Sequence, residues 1–368
     1  MKIQLPIPIH FKKEFLSEFI ERIAYISTNI QFVQFLELEE VIEIELINDE
    51  NIEDLYIAYE GLVESSKKWK MLSEKELKSN LPINEKHVNP LKSVSDVAFY
   101  EEIELELLDF FDREFIAIAK NAGANLRQYP LSLTNEVMDL CKYHTNFPQN
   151  IFAVFEIPHN YQIIDKIRQE GNVFHSSHFQ NSGRFLQPCI CYHCYSEWKN
   201  QQFHVPQVIT AKGNCFRHEI PWRINPLRKL EFTMREIVFI GSGEQVLELR
   251  MKILEEVWNL FNDLGLNGKV VTASDPFFFY EDMDKATFQK MANAKYELVA
   301  VMNGESSSIA SFNYCSDSLC KSFSIKDGNG ESLHSGCVAF GIDRWLQMFL
   351  KKHGKNKAGW PKKIFEKK

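Results

Sequence analysis

Hydrophobic residues near the start of the chain recur with the spacing of one helix face, at Phe11, Phe15, Phe19 and Ile23. Short apolar runs at 30–35 and 41–47 predict strands, and the pattern over 52–63 predicts a second helix. The stretch 67–96 is polar and lysine-rich and contains two prolines, which is typical of a domain boundary. We therefore predict a small α/β lobe over residues 1–95, with no chemistry assigned to it.

A second region begins near residue 98 with a helix that ends at Gly123. Its apolar face is formed by Leu107, Phe111, Phe115, Ile118 and Ala122. Strands are predicted after it at Phe152–Phe155, Phe185–Cys191, Val208–Ala211, the approach to Glu219, and Ile237–Ile240. Numerous strands with tight connections favour a largely antiparallel sheet.

The third region opens with Ser242 and Gln245, three residues apart, which form a capping box before a helix that ends at Gly265. Further strands are predicted at Tyr296–Met302, Ser308–Phe312 and Ser322–Ile325, and a final helix at Asp343–Lys352. The fold class is therefore α+β, with an antiparallel sheet flanked by helices over residues 96–368.

The chain has 368 residues, and its apolar fraction of 45% is that of a globular protein rather than a disordered or fibrous one. Lys and Arg number 42 and Asp and Glu 50, so the net charge of −8 argues against a surface that is basic throughout. Neither a signal-peptide pattern nor an apolar run that could span a bilayer occurs. Eight cysteines in so long a chain favour reduced thiols, and we expect a cytoplasmic protein without membrane contact.

The chemistry concentrates in the segment from Cys215 to Ile240. Arg217 and Glu219 are two residues apart, so on a strand both side chains reach the same face. Arg228 and Phe232 follow in the connecting hairpin. The forked guanidinium of an arginine matches the oxygens of a phosphate, and an aromatic ring can stack on a purine. A carboxylate can accept a hydrogen bond from the exocyclic amine of the purine. The pattern predicts a nucleotide site, although cross-strand ion pairs on an ordinary sheet would explain any one of these residues.

The sequence resembles class II aminoacyl-tRNA synthetases, whose three motifs occur in order. The helix before Gly123 with Tyr129-Pro130 is similar to motif 1, the dimer-forming element. Phe-Arg-His-Glu at 216–219 with the hairpin and returning strand is similar to motif 2. The segment from Ser335 to Trp345, which contains Arg344, is similar to motif 3. The resemblance implies a homodimer and an ATP site.

A narrower resemblance, from about residue 100 onward, is to the amino acid:carrier protein ligases, relatives of the atypical archaeal seryl-tRNA synthetase. The strings that carry it lie at 210–219, 232–239 and 273–278 and at the closing His353-Gly354 and Trp360-Pro361. It implies that ATP activates a small amino acid as an aminoacyl adenylate. The aminoacyl group then passes to the phosphopantetheine thiol of a carrier protein.

The same resemblance implies a zinc ion held by Cys191, Glu236 and Cys337, with Cys191 preferred over Cys189. Three protein ligands leave a zinc position open, and the family uses it for the amino group of the substrate. A closed zinc knuckle that includes His193, or a buried strand with spare thiols, is the alternative for the cysteines at 189, 191 and 194.

The resemblance also implies roles around ATP. Arg217 contacts the α-phosphate, Arg344 and Arg228 contact the β- and γ-phosphates, Phe232 stacks on adenine and Glu219 contacts its amino group. Magnesium accompanies ATP. Its carboxylate ligand does not map cleanly, and Glu305 is the nearest acidic residue.

Two rival functions stay open from the sequence. A seryl-like synthetase that charges tRNA would need a basic tRNA-binding arm, whereas the first lobe has acidic runs such as 47–54, so tRNA is disfavoured. A non-catalytic paralogue is disfavoured because both motif arginines and all three candidate zinc ligands are present.

Carrier proteins are usually acidic, so their docking surface should be basic. The lysine-rich tail from Lys351 to Lys368 is one candidate for it, and a solvated terminal segment is the alternative.

Overall fold

The structure is a computed structural model of the 368-residue chain. It describes residues 1–7, 11–69, 74–82, 99–171, 175–204, 206–275, 283–302 and 304–366. Two compact units are present. The first contains residues up to Ser73 together with Ile220–Trp222, and the second contains most of the chain from Glu74 onward.

The first unit is a three-stranded antiparallel sheet with two helices. Its strands, in the spatial order β1-β3-β2, are β1 (Lys2–Pro6), β2 (Ile30–Leu36) and β3 (Val41–Leu46). Its helices are α1 (Leu16–Ile23) and α2 (Ile52–Ser66). Phe19 and Ile23 are buried between them and the sheet, as the helical spacing predicts. The predicted elements of this unit are confirmed, although α1 begins at Leu16, later than the apolar pattern indicates.

The predicted domain boundary at residue 95 differs from the observed division at Ser73. Glu76–Ser79 forms strand β4, which pairs with β12 (Gly268–Thr272) of the second unit. This long-range pairing gives residues 76–79 to the second unit. Residues 83–98, which made up much of the predicted boundary, lie outside the described part of the chain.

The second unit is built on an eight-stranded sheet in the order β4-β12-β13-β14-β16-β11-β10-β5. The strands not yet given are β5 (Asn125–Arg127), β10 (Gln207–Phe216), β11 (Glu231–Gly241), β13 (Lys295–Met302), β14 (Glu305–Ser316) and β16 (His334–Gly341). All neighbours pair antiparallel except β5 and β10. The predicted fold class, an antiparallel sheet flanked by helices, is confirmed.

Three long helices cover one face of this sheet and form its main core: α3 (Glu102–Asn121), α8 (Gly243–Asp263) and α11 (Ile342–His353). The ring of Phe115 on α3 stacks on Phe340 of β16 with ring centroids 4.2 Å apart. Ser242 and Gln245 form the predicted capping box at the start of α8. Among the described residues, no helix is both long and apolar enough to cross a bilayer.

Smaller elements surround the other face. The strands are β6 (Ser132–Thr134), β7 (Ala153–Glu156), β8 (Gln180–Leu186), β9 (Gln202–Phe203) and β15 (Lys326–Asp327). The helices are α4 (Asn135–Leu140), α5 (Tyr143–Asn146), α6 (Tyr161–Glu170), α7 (Cys191–Glu197), α9 (Met283–Met291) and α10 (Ser318–Ser322).

Three strand predictions are wrong in their bounds or type. The strand predicted over Phe185–Cys191 ends at Leu186, and helix α7 begins at Cys191. The strand predicted to approach Glu219 ends at Phe216. The strand predicted over Ser322–Ile325 does not form, because Ser322 is the last residue of helix α10 and Phe323 is the C-cap of that helix. In the first and third cases, apolar runs this short have the same pattern in a strand and in a buried turn of helix.

Candidate active site

One face of the eight-stranded sheet carries the predicted chemistry. Cys337 of β16 pairs with Val238 of β11 on one side and with Asn313 of β14 on the other. Residue partners and alternate residues along a strand share a face, so Glu236 lies on the same face as Cys337. The long helices pack against residues of the opposite parity, such as Phe340, which leaves this face for a site.

Thiols and a carboxylate cluster on that face. The ligand atoms of Cys189, Cys191 and Glu236 all lie within 4.8 Å of one another. The Sγ atoms of Cys189 and Cys191 are 3.5 Å apart. Cys337 lies outside this group: its Sγ accepts from the Asn313 amide at 3.4 Å, and the neighbouring thiols of Cys191 and Cys315 lower its pKa. Two of the three predicted metal ligands, Cys191 and Glu236, thus lie together with Cys189, and the role of Cys337 as a ligand stays a prediction.

Backbone donors fix the Glu236 carboxylate. Its two oxygens accept the N–H groups of Ile190, at 2.9 Å, and Cys191, at 3.0 Å, where helix α7 begins. Burial raises the pKa of Glu236 to about 7, Cys337 adds to the rise, and the backbone donors oppose it. The pKa of the Cys191 thiol is also raised, by its hydrogen bonds with Cys189 and Cys337 and by burial. A buried set of thiols and a carboxylate is the donor chemistry that suits a soft divalent cation.

The three predicted phosphate-binding arginines also lie close together. Arg344 donates from Nε to the Leu227 carbonyl and from a terminal nitrogen to the Ser308 carbonyl, both at 2.8 Å. Burial and the positive charges of Arg217 and Arg228 lower its pKa to about 10. Like charges at such short range are costly, and bound phosphate oxygens would offset that cost.

Arg217 is a neighbour of both Arg344 and the thiol cluster. Its guanidinium donates to the Pro188 carbonyl at 3.2 Å and stands over the Phe232 ring at 5.2 Å from the centroid. Its charge acts on Arg344 on one side and on Cys189 on the other. Substrate groups bound at the two clusters would therefore meet beside Arg217.

The residues predicted to contact adenine have protein partners. Glu219 accepts a hydrogen bond from Arg228 at 2.5 Å, and Phe232 lies beneath Arg217. These contacts hold the side chains on the same face as the arginines. Their roles toward adenine stay predictions.

Sequence reasoning missed a buried support for the motif 2 hairpin. Asp343, next to Arg344 at the start of α11, accepts from Lys229 at 3.0 Å, from the Tyr100 hydroxyl and from the backbone N–H of Thr233. The hairpin is thereby tied to the helix that carries Arg344. An acidic residue directly before the motif 3 arginine was the available signal.

A second missed group lies beside the thiols. Lys295 of β13 forms ion pairs with Asp275 at 2.7 Å and with Glu297 at 3.0 Å. Lys295 is buried, and burial opposes its charge, yet the two carboxylates raise its pKa above the usual range. Asp275 belongs to the string at 273–278, of which 276–278 lie outside the described residues.

Glu305, the nearest acidic residue considered for magnesium, pairs with Lys351 of α11. Glu297 instead shares the site face, because it pairs with Ser311 two residues from Asn313. Its charge also acts on Arg344. Glu297 is therefore a carboxylate of the site face whose charge reaches Arg344.

Comparison with known proteins concerns the fold that carries these residues. The tRNA synthetase class II core domain (G, H, P, S and T) matches residues 185–353. A crystal structure of M. kandleri SerRS in complex with A. aeolicus tRNASec aligns with a TM-score of 0.69 and 17% identity over 99% of this chain and 76% of that chain. The chain therefore has the fold of a class II tRNA synthetase core. A structure of Giardia lamblia prolyl-tRNA synthetase has the same fold at a TM-score of 0.55 and 15% identity, over 70% of this chain and 48% of that chain.

Among curated proteins, the synthetase core is similar to two amino acid–acyl-carrier-protein ligases of Bradyrhizobium diazoefficiens. Ligase 1 is 28% identical over 73% of this chain and 82% of its own length. Ligase 2 is 34% identical over 48% of this chain and 53% of its own length. Type-2 serine–tRNA ligase of Methanopyrus kandleri is 23% identical over 69% of this chain and 53% of the relative. The resemblance to the carrier protein ligases is confirmed. The chain spans about half the length of ligase 2 and of the seryl enzyme.

Proposed function

We propose that the protein activates a small amino acid with ATP and transfers it to the phosphopantetheine thiol of a carrier protein. The observation that carries this proposal is that Arg217 is an electrostatic neighbour both of Arg344 and of the thiol–carboxylate cluster on one sheet face. The curated relatives named as amino acid–acyl-carrier-protein ligases support the choice of acceptor. We place the reaction in the cytoplasm, where ATP is available and the eight free thiols stay reduced.

In the first half-reaction, the amino acid carboxylate attacks the α-phosphorus of ATP and pyrophosphate leaves. A carboxylate needs no general base, so the protein contributes position and charge stabilisation. Arg217 contacts the α-phosphate, and Arg344 with Arg228 contacts the β- and γ-phosphates. Glu297 is the carboxylate that we assign to the magnesium of MgATP.

Cys191, Glu236 and Cys337 would hold a zinc ion, and the donor set fits it because thiolates and a carboxylate are ordinary zinc ligands. When bound, zinc would act as a Lewis acid toward the amino nitrogen of the substrate. The three side chains would then place the amino acid beside Arg217, with its carboxylate toward the arginines.

In the second half-reaction, the carrier thiol attacks the carbonyl carbon of the adenylate and AMP leaves. No side chain of the protein has to form a covalent intermediate. Cys194 and Cys215 are therefore structural in this scheme, in agreement with their complete burial.

The proposal is tested by amino-acid-dependent pyrophosphate exchange with each common amino acid. Mass spectrometry then follows a carrier protein and total tRNA after incubation with ATP and the selected amino acid. We expect a mass increase on the carrier alone. Loading of tRNA alone would favour the seryl-like alternative, for which the alignment of nearly the whole chain with a tRNA-bound SerRS is the supporting observation. No exchange with any amino acid would favour a non-catalytic paralogue.

Cys191→Ala and Cys337→Ala should each abolish pyrophosphate exchange, because the substrate amino group would lose its anchor. Cys320→Ala is the matched control, since Cys320 is a buried thiol of helix α10 outside the cluster. Zinc content measured on the same preparations should fall only in the first two variants. Full exchange in metal-free protein would contradict the zinc assignment.

A further inference from the structure

The motif 2 hairpin leaves the large sheet for part of its length. Its strands are joined as far as Arg217, whose N–H donates to the Leu230 carbonyl at 2.9 Å. The next N–H, of His218, donates instead to the carbonyl of Asn150 at 3.1 Å. In the described part of the chain, residues 218–224 form no backbone pairing with the returning strand. Other contacts must therefore fix the position of this segment.

Side-chain packing in the first unit supplies such contacts. Residues Ile220–Trp222 belong to that unit. The Trp222 ring packs against the hydrophobic core of the unit and meets the Phe32 ring of β2 edge to face, with ring centroids 6.0 Å apart. The segment that leaves the large sheet is thus anchored by an aromatic contact in the first unit.

Phe32 has a position on β2 that calls for such a partner. It pairs with Glu45 of β3, and the next residue on the same face, Gln34, pairs with Glu43. An aromatic ring among polar side chains on a sheet face gains stability when another ring covers it. Trp222 provides this cover from a distant part of the chain.

Beyond Trp222 the chain enters a tight turn that hydrogen bonds hold. The Asn225 side chain donates to the Arg223 carbonyl at 3.0 Å and accepts from the Leu227 N–H at 2.9 Å. The Leu227 carbonyl in turn accepts from Nε of Arg344 at 2.8 Å. Because these directed bonds follow one another along the chain, a displacement at Trp222 would be passed on to the turn.

We propose that the first unit positions the ATP-binding hairpin through Trp222, which makes Trp222 and Phe32 positioning residues for ATP. Trp222 lies three residues after Glu219 and six before Arg228, and these two side chains form an ion pair at 2.5 Å. The inference rests on the proposed function, in which both side chains contact ATP. It gives residues 1–73 a role, which is to hold the segment where Glu219 and Arg228 face the nucleotide.

The experiment uses the full chain and two measurements. Calorimetry records binding of α,β-methylene-ATP, in which a methylene group replaces the bridging oxygen that the reaction would release, and pyrophosphate exchange gives kcat and KM. Trp222→Ala and Phe32→Ala should each weaken analogue binding and raise KM for ATP by about 10-fold, as expected for the loss of one aromatic contact. The KM for the amino acid and kcat at saturating ATP should stay unchanged.

Conservative variants separate positioning from folding. Trp222→Phe keeps an aromatic ring and should restore most of the analogue binding. Phe32→Leu keeps apolar volume but removes the ring, so it should still weaken binding even if the alanine variant does not fold. Leu38→Ala, at an exposed turn of the first unit, is the matched control and should bind the analogue like the wild type.

The double variant Phe32→Ala with Trp222→Ala tests whether the two rings act together. Both single variants remove the same contact, so the double variant should bind the analogue no more weakly than either of them. Losses that multiply would overturn the inference, because the rings would then act separately.

Two further outcomes are distinguishable. A lowered melting temperature with unchanged analogue binding in both single variants would overturn the inference and leave the contact purely structural. Absence of analogue binding by the wild type would contradict the proposed function itself, and the inference with it.

Discussion

Gly336 allows strand β16 to approach its neighbours closely. A Cβ atom at this position would lie 2.6 Å from the Phe239 ring and 2.7 Å from the Asn313 carbonyl oxygen. Both groups are fixed, since Phe239 is buried in the main core and the carbonyl belongs to β14. The glycine of motif 3 therefore sets the position of Cys337, the next residue.

Gly336→Ala should lower the melting temperature and weaken zinc binding, because β16 would have to move away from β11 and β14. Overpacking of this kind typically costs about 1–3 kcal/mol. Thermal unfolding and metal titration measure the two effects. Gly359→Ala is the control, since nothing lies within 4 Å of its added Cβ. Equal stability of the two variants would show that the strands can absorb the methyl group.

Arg344→Ala should slow adenylation by about 10²-fold, as losses of preorganised charge contacts to a reacting group do. Two backbone carbonyls hold its guanidinium in place, so Arg344→Lys should recover little of the rate. Single-turnover formation of pyrophosphate measures the step. Arg127→Ala, which removes an exposed partner of Glu197, serves as the control. An unchanged rate for Arg344→Ala would remove this residue from the site.

At the scale of elements, helix α3 is tied to the sheet by a buried ion pair. Asp112 accepts from Arg235 of β11 at 2.6 and 3.1 Å, and Lys212 of β10 lies 3.0 Å away. Burial alone would raise the pKa of Asp112, but Arg235 and Lys212 lower it below the usual value. The pair holds the motif 1 helix against the two strands of motif 2.

Because the pKa of Asp112 is lowered in the folded state, ionised Asp112 stabilises the fold. Its contribution is present above the unfolded-state pKa of about 3.9 and is lost as the pH falls through the lower folded-state pKa. Asp112→Asn should cost about 3 kcal/mol at neutral pH, because Arg235 loses its buried partner. The variant should also lose less stability than the wild type on acidification. Urea unfolding at several pH values measures both effects. Asp109→Asn, at an exposed position of α3, is the control. If the free energy of unfolding of the wild type and of Asp112→Asn changed in parallel with pH, the role assigned to Asp112 would be contradicted.

At the scale of the whole molecule, the lysine-rich tail is engaged by the second unit itself. Lys355 pairs with Glu104 at 2.5 Å and with Glu101 at 3.2 Å, and Lys357 pairs with Glu106. These glutamates lie on α3 or at its start. The pairs neutralise part of the charge that was considered for carrier docking, and docking through the tail stays a prediction.

The expected homodimer stays a prediction, and a substitution at the edge of the large sheet can test it. Strand β5, which belongs to the motif 1 region, is the last strand on its side and exposes Leu126. Leu126→Glu should convert a dimer into a monomer, because it places a charge on an apolar contact. Sedimentation velocity measures the mass. Leu38→Glu, at an exposed turn of the first unit, should leave the dimer intact. A monomeric wild type would refute the dimer.

The sequence by itself determined the class II synthetase fold, because motif order is a local property, and it predicted the three arginines and the metal-ligand residue types from their chemistry. Its apolar periodicity also located α3, α8 and α11, which have one long buried face each. It did not find Asp343, Lys295 and Glu297. Those depend on strand register and on contacts between residues far apart in the chain, such as the Glu236 carboxylate that holds the start of α7. Only the tertiary structure sets these, because a buried charge is stable only where distant strands supply its partners.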